Sequence, residues 1–200
     1  MFRWITRTTL AAGTTLPLLG LLTAAQAATV HQHGRAEAAL VVEGDTLTLS
    51  FRAPLMDIVG AERPPADADE RARYQEQMDK VTAPRPSPAA GCELREEAVT
   101  TVAELFPEGQ ADHDHDHDHD HDHDHDHDHD HDHDHAGGGH QDLEAGWTYQ
   151  CANMDRLDVV TWSFLADFPA LTTEVILLRP QGQGARQLAP GQTRLPLDDA

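Results

Sequence analysis

From Asp112 to His135 the chain alternates aspartate and histidine without a break, twelve of each, and continues through Ala136-Gly137-Gly138-Gly139 to His140. A segment with twelve carboxylates and no apolar side chain cannot bury enough surface to offset its ordering entropy. No core can run through it. The fold must come from the segments on either side, with residues 112–140 expected as a long disordered His/Asp-rich loop between two of its strands.

The same composition speaks to chemistry. Neutral imidazole is the commonest metal ligand among side chains, and carboxylate is a hard anionic co-ligand. In an extended chain all the histidines would lie on one face, so neighbours at i and i+2 can share an ion. The candidate ligands are His113, His115, His117, His119, His121, His123, His125, His127, His129, His131, His133 and His135, with His140 beyond the glycines. Zinc accepts such mixed N/O sets, as do nickel, cobalt and copper(II). The aspartates favour imidazolium, so protons and metal compete for the same nitrogens and loading should fail first in acid. A solubilising polyanion is the plainer alternative.

The N-terminus reads as an export signal. Arg3 and Arg7 precede an apolar run from Leu10 to Leu22, and Ala25-Gln26-Ala27 gives a small-x-small cleavage site. The run contains Gly13, Pro17 and Gly20 and is short for a membrane span. Residues 1–27 are thus expected as a signal peptide of bacterial type. Residues 28–200 would form one periplasmic domain with no further membrane span. Cys92 and Cys151 are the two cysteines. In an oxidising compartment an even count reads as one disulfide, which would enclose the whole tract. The formal charge of −21 owes twelve units to the tract. The remainder is mildly acidic, which argues against nucleic acid as a partner.

Outside the tract the patterning is mainly β. Leu47, Leu49 and Phe51 alternate with polar residues along Thr46–Arg52, and Ala36–Val42 precedes them across a Glu43-Gly44-Asp45 turn, which predicts a hairpin. Tyr74, Met78 and Val81 fall at helical spacing behind acidic Asp67, Asp69 and Glu70, predicting one helix over 67–80 that stops at Pro84, Pro86 and Pro88. Arg95–Leu105 is ambiguous by period, and its β-branched residues tip it toward strand. Leu143–Cys151 and Asp158–Leu165 read as strands, the latter with Val160, Trp162 and Phe164 inward. Glu174–Leu178 reads as a short buried-type strand, and 181–190 as a turn with one edge strand. Six to seven strands with one short helix point to a compact, mostly antiparallel sheet or sandwich.

Taken in order, these residues resemble the ZrgA-like periplasmic zinc-uptake proteins. The resemblance rests on His31-Gln32-His33-Gly34 followed by Ala36, Ala38 and Leu40, then Leu47 and Leu49 with Ala53-Pro54, then Ile58-Val59-Gly60. Gly91-Cys92 and Tyr149-Gln150-Cys151 flank the His-rich loop, and Phe168-Pro169 and Gln183-Gly184 to Leu188 complete it. It implies a zinc-binding accessory that passes zinc to a component of a high-affinity zinc ABC importer. One departure stands out. After Val59-Gly60 the family often continues Phe-Glu-His, whereas this chain has Ala61-Glu62-Arg63. Weight shifts onto the tract and onto His31 and His33, a two-nitrogen clamp if completed by a carboxylate or His140, and otherwise two exposed histidines opening a strand.

No His-Glu-x-x-His helix, Gly-x-Ser-x-Gly elbow or phosphate-binding glycine loop occurs. The chain is expected not to be an enzyme. Two functions fit the same ligands: a zinc courier for an importer, or a buffer that sequesters excess zinc, copper or nickel.

Overall fold

Pairing begins at Arg35, where alternating side chains put Ala36, Ala38, Leu40 and Val42 on one face. In this computed structural model, residues 32–107 and 141–197 are described. Strand β1 (Arg35–Glu43) runs antiparallel to β2 (Thr46–Pro54), with Glu43 opposite Thr46. Gly44 makes that tight reversal at φ 62°, a conformation costly for any residue with a Cβ. Helix α1 (Leu55–Val59) follows directly and ends at Gly60, whose φ of 83° lets its N–H donate to the Met56 carbonyl at 2.9 Å. Helix α2 (Ala68–Met78) starts at Asp67, whose carboxylate accepts the Glu70 N–H at 2.7 Å. It buries Tyr74 and Met78, and Val81 just beyond it is buried too.

Next come β3 (Arg85–Pro86), β4 (Cys92–Val99) and helix α3 (Val102–Leu105). After residues 108–140 the described chain resumes with β5 (Asp142–Cys151), β6 (Val159–Thr161), β7 (Thr172–Arg179), β8 (Gly182–Leu188) and β9 (Arg194–Pro196). The main sheet has the order β4-β5-β2-β1-β7-β8, and β3-β6-β9 form a small second sheet. The protein is mainly β, as the patterning requires. One face of the large sheet carries Leu47, Leu49, Phe51, Leu143, Trp147 and Val175, all buried. The small sheet and the 3-10 turn after β6 supply its cover. Trp162 meets Trp147 edge-on at 6.2 Å between ring centroids, and Phe164 meets Phe51 edge-on at 4.9 Å.

Several elements differ from their sequence reading. The stretch 95–105 is not one strand: β4 stops at Val99 and Thr101 begins α3. Thr101 and Glu104 form a reciprocal capping box, which overrides the β-branched run. Of 158–165 only Val159–Thr161 is strand; Ser163–Ala166 is a 3-10 turn, yet Val160, Trp162 and Phe164 are all buried as expected. Strand β7 is not buried on both faces, since Ile176 and Leu178 are each 41% exposed. It pairs in parallel with β1, the one parallel pair of the main sheet. Among the described residues three α-helices stand where one was expected, two of them five residues or shorter. No helix among the described residues is long and apolar enough to cross a membrane.

Candidate metal-handling site

Register fixes which chain segments share an end of the sheet. Glu37 lies opposite Arg52, Pro54 opposite Asp142, Ala145 opposite Val99, and Arg35 beside Thr172. The start of β1, the end of β2, the start of β5, the end of β4 and the start of β7 therefore gather at one end. Helix α1 sits there and ties two of these segments together. The Leu55 N–H donates to the Gln141 carbonyl at 2.8 Å, and the Gly34 N–H donates to Asp57 Oδ2 at 2.8 Å. Gly34 also accepts the Thr172 N–H at 2.9 Å. His33, exposed one residue before Gly34, thus shares a helix with Gln141, one residue after His140.

The other flank of the tract is held at the same end. Arg71 Nη2 of α2 donates to the Phe106 carbonyl at 3.1 Å, and Phe106 buries its ring against Tyr74. Val102 N–H donates to Gln75 Oε1 at 3.4 Å. Thr101 N–H and hydroxyl both donate to the Glu104 carboxylate, holding its pKa below the usual range. The last anchored residue before the tract is therefore Phe106 and the first after it Gln141.

The charges at this end are mostly committed. Arg52 grips Asp142, with Nε donating to Oδ2 at 2.7 Å, and Glu144 lies 3.7 Å away. Arg63, which stands where the resemblance would place a histidine, is engaged elsewhere. Its guanidinium donates to both Glu70 oxygens at 2.8 Å. This fork and then the Ala66 N–H lower the Glu70 pKa to about 2. That position offers α2 a helix-start ion pair and no imidazole.

His33 is the one sequence-predicted ligand among the described residues; His31, the tract histidines from His113 to His135, and His140 lie outside them. Among the described residues no group of three or more His, Cys, Asp or Glu side chains is arranged to hold a metal. The sequence reading did not single out Asp57. Its signal is the stretch between Ala53-Pro54 and Ile58-Val59-Gly60, where a short helix presents one carboxylate to the start of β1.

Cys92 and Cys151 form a disulfide between directly opposed residues of β4 and β5, at the end of that strand pair away from α1. It closes the base of a long hairpin whose far end carries α3 and the tract. Both sulfurs are thereby removed as thiolate ligands. Tyr149, two pairs in from the disulfide, donates its hydroxyl to the Pro84 carbonyl, and burial pushes its pKa up to about 12.

No curated protein matches the chain. A family model described as "ZrgA family zinc uptake protein" matches residues 30–197, spanning all nine strands and the tract between them. The chain belongs to the ZrgA family of zinc uptake proteins.

Proposed function

We propose that this protein captures zinc in the periplasm and passes it to a component of a high-affinity zinc ABC importer. The observation that carries the reading is the match to a zinc uptake family across residues 30–197. The tethering of Gln141 and Gly34 to one short helix supports it. His33, with His31 two residues before it in the chain, would then lie at the sheet end where the tract is rooted. Many exchangeable sites in the tract would collect zinc, and the pair, completed by Asp57 or His140, would hold it more tightly. Nothing in this scheme needs bond-making chemistry, and we assign the protein no catalytic role. Residues 1–27 serve as the cleaved signal that delivers it.

A second reading, a periplasmic buffer against excess zinc, copper or nickel, is favoured by the tract itself. Twelve regularly spaced histidines offer capacity rather than selectivity. A competitive zinc titration of the mature protein beside a form lacking residues 112–135 separates the two. The courier reading expects one tight site in the shortened form that disappears in H31A/H33A. Loss of all zinc binding on shortening would sink it and leave buffering. Regulation gives a second arm, since a courier should be made under zinc starvation and a buffer under metal excess.

A further inference from the structure

The solvent face of the six-stranded sheet is organised in rows that the register spells out. One row runs Glu174–Glu37–Arg52–Glu144 across β7, β1, β2 and β5. The next runs Ile176–Ala39–Ser50–Gly146–Ala98, and the third Leu178–Val41–Thr48–Thr148–Glu96. The small residues of the middle row make a trench across the strands, a groove of about 1150 Å³, with the acidic row as one wall. Ile176 and Leu178, each 41% exposed, adjoin Ala39 and Val41 as an aliphatic patch at one end.

This face is costly to leave bare. Glu37 and Glu174 are directly paired like charges on neighbouring strands, which weakens a sheet unless something cationic lies over them. Arg52, the cation in their row, is already gripped by Asp142. Arg35 at the first residue of β1 does not balance Glu37, Glu174, Glu144, Glu96 and Glu43. With strands about 4.8 Å apart and outward residues about 6.7 Å apart, the face measures roughly 600 Å². That approaches the ~800 Å² per partner of a standard protein interface.

Charge decides the occupant. A second copy would set the same carboxylates against each other, and the Asp/His tract brings twelve more negative charges. A protein surface with lysine or arginine around an aliphatic centre fits both the rim and the patch. The acidic row also lies at the sheet end where the tract is rooted. A loop of residues 108–140, anchored at both ends, reaches up to about 50 Å from there, so anything docked on this face lies within its span.

We propose that the acidic-walled trench on the outer face of the large sheet is the docking surface for the basic protein partner that takes the zinc. This rests on the courier reading, with the partner being the importer's soluble binding component. The test is a titration of that component, from the same organism, against the full mature protein. Wild type is compared with E37K/E174K, the milder E37Q/E174Q, and a charge-matched control, E76K/D155K, away from the face. Near-UV circular dichroism checks folding, and a zinc titration is run on each variant.

The expected result is a dissociation constant weakened at least tenfold in E37K/E174K and several-fold in E37Q/E174Q. The control should stay within twofold, wild-type binding should weaken as salt rises, and zinc stoichiometry should not change. Binding that ignores both face variants overturns the docking surface and leaves the courier reading standing. Zinc equivalents lost in the glutamine variant would make the row a metal subsite and overturn it as well. If the component does not bind wild type at all, the courier reading fails and the docking surface falls with it.

Discussion

The Gly34 N–H donates to the Asp57 carboxylate at 2.8 Å, so the residue after His33 is tied to the first turn of α1. Leu55, the first residue of that helix, holds Gln141, where the described chain resumes after the tract. Five residues of helix thus fix the spacing of two segments that lie far apart in the chain.

D57A should free the start of β1 without unfolding the sheet. A hydrogen bond to a half-exposed carboxylate contributes about 1 kcal/mol. Hydrogen exchange at Gly34 and Arg35 should quicken about fivefold while Leu49, in the centre of the sheet, is unaffected. Unchanged exchange at Gly34 would show that the Thr172 bond alone holds the segment.

The disulfide should stabilise the fold largely irrespective of the tract. With a sequence separation of 59, the chain-entropy model gives about 4 kcal/mol for Cys92–Cys151. Deleting residues 112–135 shortens the loop, and because closure entropy is logarithmic in length the contribution should fall by only about 0.5 kcal/mol. Urea unfolding of wild type and C92A/C151A, each with and without the tract, measures both numbers. A difference of 2 kcal/mol or more between the two backgrounds would contradict a passive loop.

Acid should weaken the start of α2 through Glu70. Its folded pKa is depressed to about 2 from an ordinary 4.5, chiefly by the Arg63 fork. The associated stability is therefore present above about 4.5 and disappears as pH falls through about 2. The advantage of wild type over E70Q in urea midpoint should be constant near neutrality and shrink across that window. A constant difference at all pH values would mean the ion pair is not what separates them.

W147A should cost about 3–5 kcal/mol, because the indole is 1% exposed and wedged between Trp162 and Phe164. Its Nε1 donates to Glu97 at 2.9 Å, and Glu97 is exposed, so W147F should be far milder. Equal losses in the two variants, by denaturant unfolding, would shift the weight from ring packing to that hydrogen bond.

Much of the local structure was legible. The alternation along Thr46–Arg52 and Leu143–Cys151 and the Asp67 cap of α2 depend on neighbours in sequence, and each element formed where its pattern indicated. Where two local signals competed, the weaker-looking one prevailed. Thr101 and Glu104 close a capping box over four residues, although the β-branched run Val99, Thr100, Thr101 and Val102 had pointed to strand. Trp162 and Phe164 kept their inward direction while losing the strand, since a 3-10 turn can bury both. Arg63 was legible only as the loss of a histidine. Its engagement with Glu70 needed the fold.

The sequence by itself determined that Cys92 and Cys151 pair and that the described chain on either side of the Asp/His tract is mainly β. Cysteine parity and period-two alternation are each complete within the chain. Tertiary structure alone decided that β7 pairs in parallel with β1, leaving Ile176 and Leu178 facing solvent beside Glu37 and Glu174. It also decided that Gly34 and Gln141 meet on α1. Both depend on which sheet face is buried and which strand ends coincide, and those are set by packing between segments more than a hundred residues apart, where no local pattern reaches.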